Sequence, residues 1–212
     1  MRLYEQYRPT TLDGIVGQGK AVSAVKGVMA RGVGGNALWI AGPSGTGKTT
    51  IARIVARQFA DPIFIDEIDA GQLSLPMLAK WENDMAFRAW GKGGRAYIVN
   101  EAHGLRAPVI RRLLVTLEAV PAHVVVIFTT TNDGQGELFE DHIDAGPLLS
   151  RCLPVKLTPR GLAGPFAKHV QGIAREAGLD GKPIQAYITL AKDSRNNMRS
   201  MLSAVAAGTM LS

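Results

Sequence analysis

The stretch that decides the fold is Gly42-Pro-Ser-Gly-Thr-Gly-Lys-Thr49, which matches the phosphate-binding pattern G-x-x-x-x-G-K-[ST] at every fixed position. Glycines in such a loop let backbone N–H groups turn toward phosphates, and the following helix directs its partly positive N-terminus at the same anion. Lys48 supplies a positive charge and Thr49 a hydroxyl for Mg²⁺. We therefore predict that the phosphates of a nucleotide contact Gly42, Pro43, Ser44, Gly45, Thr46, Gly47, Lys48, Thr49 and Thr50.

The sequence on both sides of the loop agrees with this prediction. Residues 37–41 form a short apolar run of buried-strand length, and residues 50–59 carry apolar side chains at helical spacing. The order strand, loop, helix is the context that the pattern requires. We expect the cofactors to be ATP and Mg²⁺.

Composition limits the remaining classes of protein. The chain has 212 residues, one cysteine, a net charge of +6 and a pI near 9.7. One cysteine excludes an internal disulfide and a multi-cysteine zinc module, and no apolar run reaches the roughly 18 residues of a membrane helix. These features predict a cytoplasmic protein without a membrane partner. The positive charge favours nucleic acid only weakly, because scattered surface lysines and arginines are a commoner cause.

The N-terminal segment carries the first family resemblance. Tyr7-Arg-Pro9, Leu12-Asp13 and Val16-Gly-Gln18 resemble the segment that precedes the phosphate loop in clamp-loader ATPases of the AAA+ superfamily. The resemblance implies that the adenine base lies near Arg8, Pro9, Val16 and Gly17. The alternative is a simple N-terminal strap.

Two apolar runs compete for the strand that supplies the metal and water ligands. Residues 63–69 contain Asp66-Glu67, but they directly follow the phosphate-loop helix, so a right-handed crossover makes them the next strand, expected at the sheet edge. Glu67-Ile-Asp-Ala70 resembles the Glu-Leu-Asn-Ala type of sequence that ends this strand in clamp loaders. The second run ends in Asn100-Glu101, 52 residues after Lys48. We predict that this second run is the water-activating strand.

Asn100 stands where the family usually has aspartate. An amide offers an oxygen without the charge, so Thr49 and Asn100 are expected to hold Mg²⁺ weakly. Glu101, which by resemblance orients the attacking water, is retained. These residues predict a slow ATPase.

The next strand, residues 124–128, is followed by a polar run. By resemblance this run holds the sensor 1 group that reaches the γ-phosphate, with Asn132 the first choice and Thr131 the second. A threonine-rich strand end followed by an ordinary turn is the alternative.

Leu149-Ser-Arg-Cys152 resembles the clamp-loader signature that precedes the final strand. The resemblance implies that Arg151 neutralises charge on the γ-phosphate bound by the next subunit. We expect Arg151 to lack a partner within its own chain, whereas an arginine that caps a helix is the alternative. Cys152 is predicted to be a packing residue.

After residue 158 the chain changes character. Three helical segments follow, which resemble the small lid of AAA+ proteins, and Arg199 is the candidate sensor 2 arginine. The whole pattern predicts an α/β P-loop NTPase domain over residues 1–158, with three layers and the parallel strand order 5-1-4-3-2, followed by a three-helix lid over residues 159–212.

The resemblance implies a function in DNA replication. The chain is expected to be an ATPase subunit that joins itself or related AAA+ subunits head to tail, contacts the DNA backbone and loads a sliding clamp. One alternative is a non-hydrolysing structural subunit, and another is a recombination or branch-migration motor. Basic residues expected near DNA are Lys80, Arg88, Lys92, Arg106, Arg111 and Arg112.

Overall fold

A computed structural model describes residues 2–131 and 146–211 of the chain. Within these residues, five parallel strands form one sheet in the order β2-β3-β4-β1-β5. The strands are β1 (Asn36–Ala41), β2 (Ala60–Asp69), β3 (Gly94–Asn100), β4 (Val124–Thr130) and β5 (Cys152–Lys156). Read from the other edge, this is the predicted order, and β2 lies at the edge as expected.

Helices connect the strands and follow the last one. They are α1 (Leu3–Gln6), α2 (Gly19–Ala30), α3 (Lys48–Phe59), α4 (Leu75–Met85), α5 (Ala107–Thr116), α6 (Gly146–Leu149), α7 (Ala163–Glu176), α8 (Ile184–Asp193) and α9 (Met198–Ala206). Short 3₁₀ helices occupy Leu12–Gly14, Ala70–Gln72, Ala102–Gly104 and Leu117–Ala119. Apolar residues keep roughly helical spacing from Leu73 to Trp90, which predicts one helix there with Trp81 and Trp90 in the core, but α4 ends at Met85.

This earlier end of α4 corrects the prediction for one tryptophan. Trp81, on α4, is only 4% exposed and packs against the Tyr97 ring, as expected for a core residue. Trp90 was also expected in the core, but it is 87% exposed. The chain has left the helix before Trp90, since the N–H groups of Ala86 and Phe87 donate to the carbonyls of Asn83 and Asp84, three residues back, where an α-helix would use the fourth.

Alternate residues of the sheet serve two separate cores. On β1, Ala37, Trp39 and Ala41 face the layer that contains α4 and α5, whereas Leu38 and Ile40 face α2 and α3. This alternation follows from the two-residue period of a strand. The sheet is therefore the middle of three layers, as predicted.

A third core unites the last three helices with the N-terminus. Side chains of α7, α8 and α9 pack together, and Leu3, Tyr4 and Tyr7 contact the same cluster. The N-terminal helix thus packs with the predicted lid, although it belongs to the predicted first domain. Across the described ranges, none of the helices is both long and apolar enough to cross a membrane.

Candidate functional site

The phosphate loop connects β1 to α3 and has the backbone that its glycines predict. Gly45 and Gly47 have φ angles of +74° and +107°, which side-chain-bearing residues rarely adopt. A Cβ atom on Gly45 would lie 2.0 Å from Oδ1 of Asn197 and 2.8 Å from its Cα. Gly45 therefore allows the start of α9 to rest directly on the loop, where Met198 N–H donates to the Gly45 carbonyl at 3.2 Å.

Lys48 is buried at the base of this loop. Lys48 is only 6% exposed, and its Nζ donates to the carbonyl of Pro43 at 3.0 Å. Burial lowers the pKa of Lys48, while the Glu101 carboxylate opposes the shift and Arg199 adds to it. A partly desolvated ammonium group beside turned-in N–H groups fits the binding of a phosphate anion.

One cavity of about 890 Å³ lies over the loop, including the space that opens to solvent. Its wall combines residues 44–50 and Glu101 with Arg8, Pro9 and Val16 of the N-terminal segment and Arg199 of the lid. Gly17, Gly42 and Pro43, which were also expected to contact nucleotide, do not line it.

Arg8 reaches farther toward the loop than its expected place near the base. Its Nη1 donates to the Thr50 hydroxyl at 2.9 Å, and its guanidinium also pairs with Glu5. Arg199 lies over the Tyr4 ring, 5.6 Å from its centroid. Together with Lys48, these two arginines give the cavity three positive groups.

The structure brings together the two residues predicted to hold the metal. The Thr49 hydroxyl donates to Oδ1 of Asn100 at 3.2 Å, and the Thr129 hydroxyl donates to the same oxygen at 2.9 Å. No group of three His, Cys, Asp or Glu side chains in the described ranges could hold an ion. The Thr49 hydroxyl and nucleotide phosphates would offer only oxygen atoms, which fits Mg²⁺, whereas Oδ1 of Asn100 already accepts from two hydroxyls.

Glu101 lies at the end of β3 with an unusual backbone. Its φ of 50° and ψ of 52° place it in the left-handed region, which is uncommon for a residue other than glycine. Its carboxylate is 51% exposed, lies 3.5 Å from Nδ1 of His103, and borders the cavity. Such a carboxylate can accept a hydrogen bond from water in the cavity.

The sensor 1 prediction is only partly open to inspection. Asn132, the first choice, lies outside the described residues, and Thr131 is exposed at the bend that follows β4. Sequence reasoning missed Thr129, which is fully buried and bonded to Asn100. It also missed Phe166 and His169 of α7, which line the cavity. Only the resemblance to a lid, without a motif, pointed to that helix.

Arg151 has partners within its own chain, so the expectation that it lacks them is wrong. Nη1 donates to the carbonyl of Pro147 at 2.8 Å, and Nη2 forms an ion pair with Glu118. Buried Nε has no acceptor among the described residues. The Arg151 side chain is 29% exposed and that of Glu118 61% exposed, so the pair lies at the surface.

Cys152, beside it, is a packing residue as predicted. It is 7% exposed and belongs to the core under α4 and α5. Burial raises the pKa of its thiol to about 12.

Known proteins resemble this chain over most of its length. The DNA polymerase III subunit gamma of Buchnera aphidicola subsp. Baizongia pistaciae is 31% identical over 183 residues, which are 76% of this chain and 47% of the relative. The subunit gamma/tau of Mycobacterium tuberculosis is 30% identical over 156 residues, 62% of this chain and 27% of the relative. The subunit tau of Escherichia coli is 27% identical over 234 residues, 97% of this chain and 35% of the relative. The chain spans less than half of each.

Solved structures support the fold. A mutant of Thermotoga maritima RuvB has a TM-score of 0.70 at 22% identity, covering 95% of this chain and 65% of its own. RuvB of the same organism, described as a Holliday junction branch migration motor, has a TM-score of 0.66 at 23% identity. The match covers 94% of this chain and 64% of the RuvB chain. At this identity the likeness shows the fold alone. No protein-family model matches the chain.

The sequence relatives and the P-loop fold lead to one assignment. The chain is a homologue of the gamma and tau subunits of DNA polymerase III, and its sheet has the strand order and fold of AAA+ P-loop proteins.

Proposed function

We propose that this chain binds ATP with Mg²⁺ over its phosphate loop and hydrolyses it slowly, as one subunit of a clamp-loader-like assembly. The observation that carries the proposal is the buried Lys48 ammonium, which lies in one cavity with Glu101 and Arg199. The names of the relatives, which are DNA polymerase III subunits, support a role in replication.

Each residue around the cavity has a distinct part in this proposal. Lys48 and the loop N–H groups hold the outer phosphates, and Arg199 contacts the γ-phosphate from the lid. Glu101, half-exposed beside the cavity, orients the attacking water. Bound Mg²⁺ supplies charge that offsets the negative charge of the phosphates.

Asn100 acts through Thr49. By accepting a hydrogen bond from the Thr49 hydroxyl, Oδ1 of Asn100 leaves the lone pairs of that hydroxyl free for a cation. The same oxygen also accepts from Thr129, so its own lone pairs are already used. Without a carboxylate charge here, affinity for Mg²⁺ and the rate of hydrolysis are both expected to be low.

Arg151 is proposed to complete the site of a neighbouring copy. It must then exchange Glu118 for a phosphate, and surface ion pairs contribute only about 0–1 kcal/mol. A triphosphate carries more negative charge than one carboxylate, so the exchange is favourable. Because Lys48 and Arg151 serve different sites, the interface is head to tail.

Mixing two inactive variants tests this arrangement. Lys48→Ala and Arg151→Ala should each abolish turnover, because one loses the phosphate lysine and the other the arginine given to its neighbour. Random mixing at equal amounts gives about a quarter of the interfaces an intact lysine and an intact arginine. The mixture should therefore regain turnover. If it stays as inactive as its components, Arg151 does not act on a neighbouring site.

Asn100 also favours a second candidate, a structural subunit that binds ATP without hydrolysing it. Turnover of the natural chain and of Asn100→Asp separates the two functions. Slow turnover that accelerates in the variant supports the ATPase. If both proteins bind ATP and neither hydrolyses it, the structural role is correct.

DNA and a sliding clamp are the proposed partners. Of the basic residues expected near DNA, Arg112 pairs with Glu82 and Lys92 bonds the carbonyl of Arg57, so both are engaged internally. The proposal for DNA therefore rests on Lys80, Arg88, Arg106 and Arg111. Backbone contacts of this kind weaken steeply with salt. Binding to primed DNA that is unchanged between 50 and 200 mM salt would contradict the proposal.

The exposed aromatic rings of Phe87 and Trp90 give the proposed clamp a surface to contact. Both follow α4, away from the nucleotide cavity. A Phe87→Ser, Trp90→Ser double variant should keep its basal turnover and lose stimulation by a clamp. Stimulation that survives in the variant would exclude this surface as the contact.

A further inference from the structure

We propose that Glu67 is a positioning residue that determines which atom of the Asn100 amide faces the metal side of the phosphate loop. The inference deepens the proposed function, since it rests on Mg²⁺ binding beside Thr49. Nδ2 of Asn100 donates to Oε1 of Glu67 at 2.7 Å. The opposite side of the same amide, Oδ1, accepts from Thr49 and Thr129.

The three neighbours of the amide differ in whether they can donate a hydrogen bond as well as accept one. The hydroxyls of Thr49 and Thr129 can each donate or accept, so they would satisfy the amide in either orientation. An ionised carboxylate can only accept. Glu67 is therefore the neighbour that favours one orientation, with the NH₂ group toward β2 and the oxygen toward α3.

The orientation matters because the two ends of an amide act oppositely on a cation. With the oxygen toward Thr49, the threonine proton points to Asn100 and away from the phosphates. After a flip, NH₂ would donate to the Thr49 oxygen and use a lone pair that Mg²⁺ needs. The hydroxyl proton would then occupy one of the two remaining directions around the oxygen, which leaves a single lone pair for the cation, and metal binding would weaken.

Glu67 is itself held in place by α3. Nε of Arg53 donates to Oε2 at 2.7 Å, and Nη2 donates to Oε1 at 3.0 Å. Arg53 lies one helical turn after Thr49, so the contacts close a ring from α3 through β3 and β2 back to α3. The side chains of Glu67 and Arg53 are 24% and 32% exposed, which limits the access of water to this bidentate pair.

An aspartate at position 100 would not need this control. Its two oxygens are equivalent, so either orientation presents an acceptor to Thr49. The dependence on Glu67 is thus a property of a chain with asparagine at this position. This difference separates positioning from a merely structural role, because a structural loss would be felt equally in both backgrounds.

The test is a double-mutant cycle read by nucleotide affinity. The affinity for a fluorescent ATP analogue is measured with excess Mg²⁺ and with EDTA, and the ratio of the two is the readout. Glu67→Ala should lower this ratio about tenfold, the size of other effects beyond the direct ligands. In the Asn100→Asp background the same change should not lower the ratio, because it removes the repulsion between two neighbouring carboxylates and no acceptor of an amide. Equal losses in the two backgrounds would overturn the proposal.

Two variants control for local damage. Glu67→Gln keeps the shape of the side chain but can donate as well as accept, so it no longer favours one orientation of Asn100 and should lower the ratio as Glu67→Ala does. Glu82→Ala removes another carboxylate paired with an arginine, Arg112, outside the site, and should leave the ratio unchanged. Affinity in EDTA should be the same in all variants, because Lys48 and the loop are untouched. If Glu67→Gln retains the full ratio, the inability of the carboxylate to donate is not what matters and the proposal fails.

A second measurement does not depend on nucleotide. In the NMR spectrum of the protein without ligand, one side-chain NH of Asn100 should be shifted downfield by its carboxylate acceptor. Glu67→Ala should remove that shift, and an unchanged Asn100 signal would overturn the proposal. If ATP does not bind even to the natural chain, the proposed function fails, while this spectrum still decides how Asn100 is oriented.

Discussion

Replacing Gly45 by alanine tests whether the lid rests on the phosphate loop. A Cβ atom at Gly45 would lie 2.0 Å from Oδ1 of Asn197, which a side-chain rotation could relieve, but also 2.8 Å from its Cα, which a rotation cannot. The start of α9 must therefore move away. The hydrogen bond from Met198 N–H to the Gly45 carbonyl, 3.2 Å long, would then be lost.

The magnitude follows from two separate contributions. Placing a Cβ on a residue with a φ of +74° costs about 1–2 kcal/mol. Losing the hydrogen bond to Met198 adds about 0.5–1.5 kcal/mol. Gly45→Ala should therefore lower the free energy of unfolding by about 1.5–3.5 kcal/mol.

Two other glycines separate these contributions. Gly47 and Gly161 have φ angles of +107° and +71°, and a Cβ atom on either would meet nothing within 4 Å. Alanine at these positions should cost the backbone term alone, about 1–2 kcal/mol. Urea unfolding without nucleotide measures all three, and hydrogen exchange of the Met198 amide should accelerate only in Gly45→Ala. If Gly45→Ala matches Gly47→Ala in both measurements, the lid does not rest on the loop.

Three further predictions concern the core, the thiol and a histidine. Trp81→Ala should destabilise the protein by about 3–5 kcal/mol and Trp90→Ala by less than about 0.5 kcal/mol in urea titrations, and similar losses would contradict their different burial. Cys152 should resist a thiol reagent at pH 8 until urea is added, because burial holds its pKa near 12; rapid labelling of the folded protein would contradict this. Burial lowers the pKa of His169 below 6.5, so the unfolded chain binds more protons as the pH falls through that value. The natural chain should therefore lose more stability between pH 7.5 and 5.5 than His169→Gln, and parallel losses would refute the assignment.

The fold was predictable because its signals are local and regularly spaced. The phosphate loop fixes a strand before it and a helix after it, and the crossover rule places residues 63–69 at the sheet edge, where β2 lies. Trp90 was misplaced because helical spacing continues beyond the point where the helix ends. Nothing in the spacing of apolar residues reports that the helix ends at Met85, before Trp90.

The site was predictable one residue at a time, but not its contacts. The motifs indicated Thr49, Asn100 and Glu101 separately, because each follows a recognisable strand or loop. That Glu67 bonds Asn100 depends on the register between β2 and β3 and on the side-chain angles of both residues. Neither the strand register nor the side-chain angles can be predicted from one sequence. The run containing Glu67 was set aside as the source of metal ligands, and its carboxylate instead reaches the amide that stands in the ligand position.

For Arg151, the sequence signature predicted a function but not the side chains that surround it. Glu118, which lies 33 positions earlier in the chain, forms an ion pair with Arg151 that the signature does not contain. This pairing turns the proposed action of Arg151 into a competition between Glu118 and the phosphates of a neighbour. Removing the competitor should favour the neighbour, so Glu118→Gln should assemble at lower protein concentration in the presence of ATP. Assembly that needs more protein than the natural chain would show that Glu118 presents the arginine rather than restrains it.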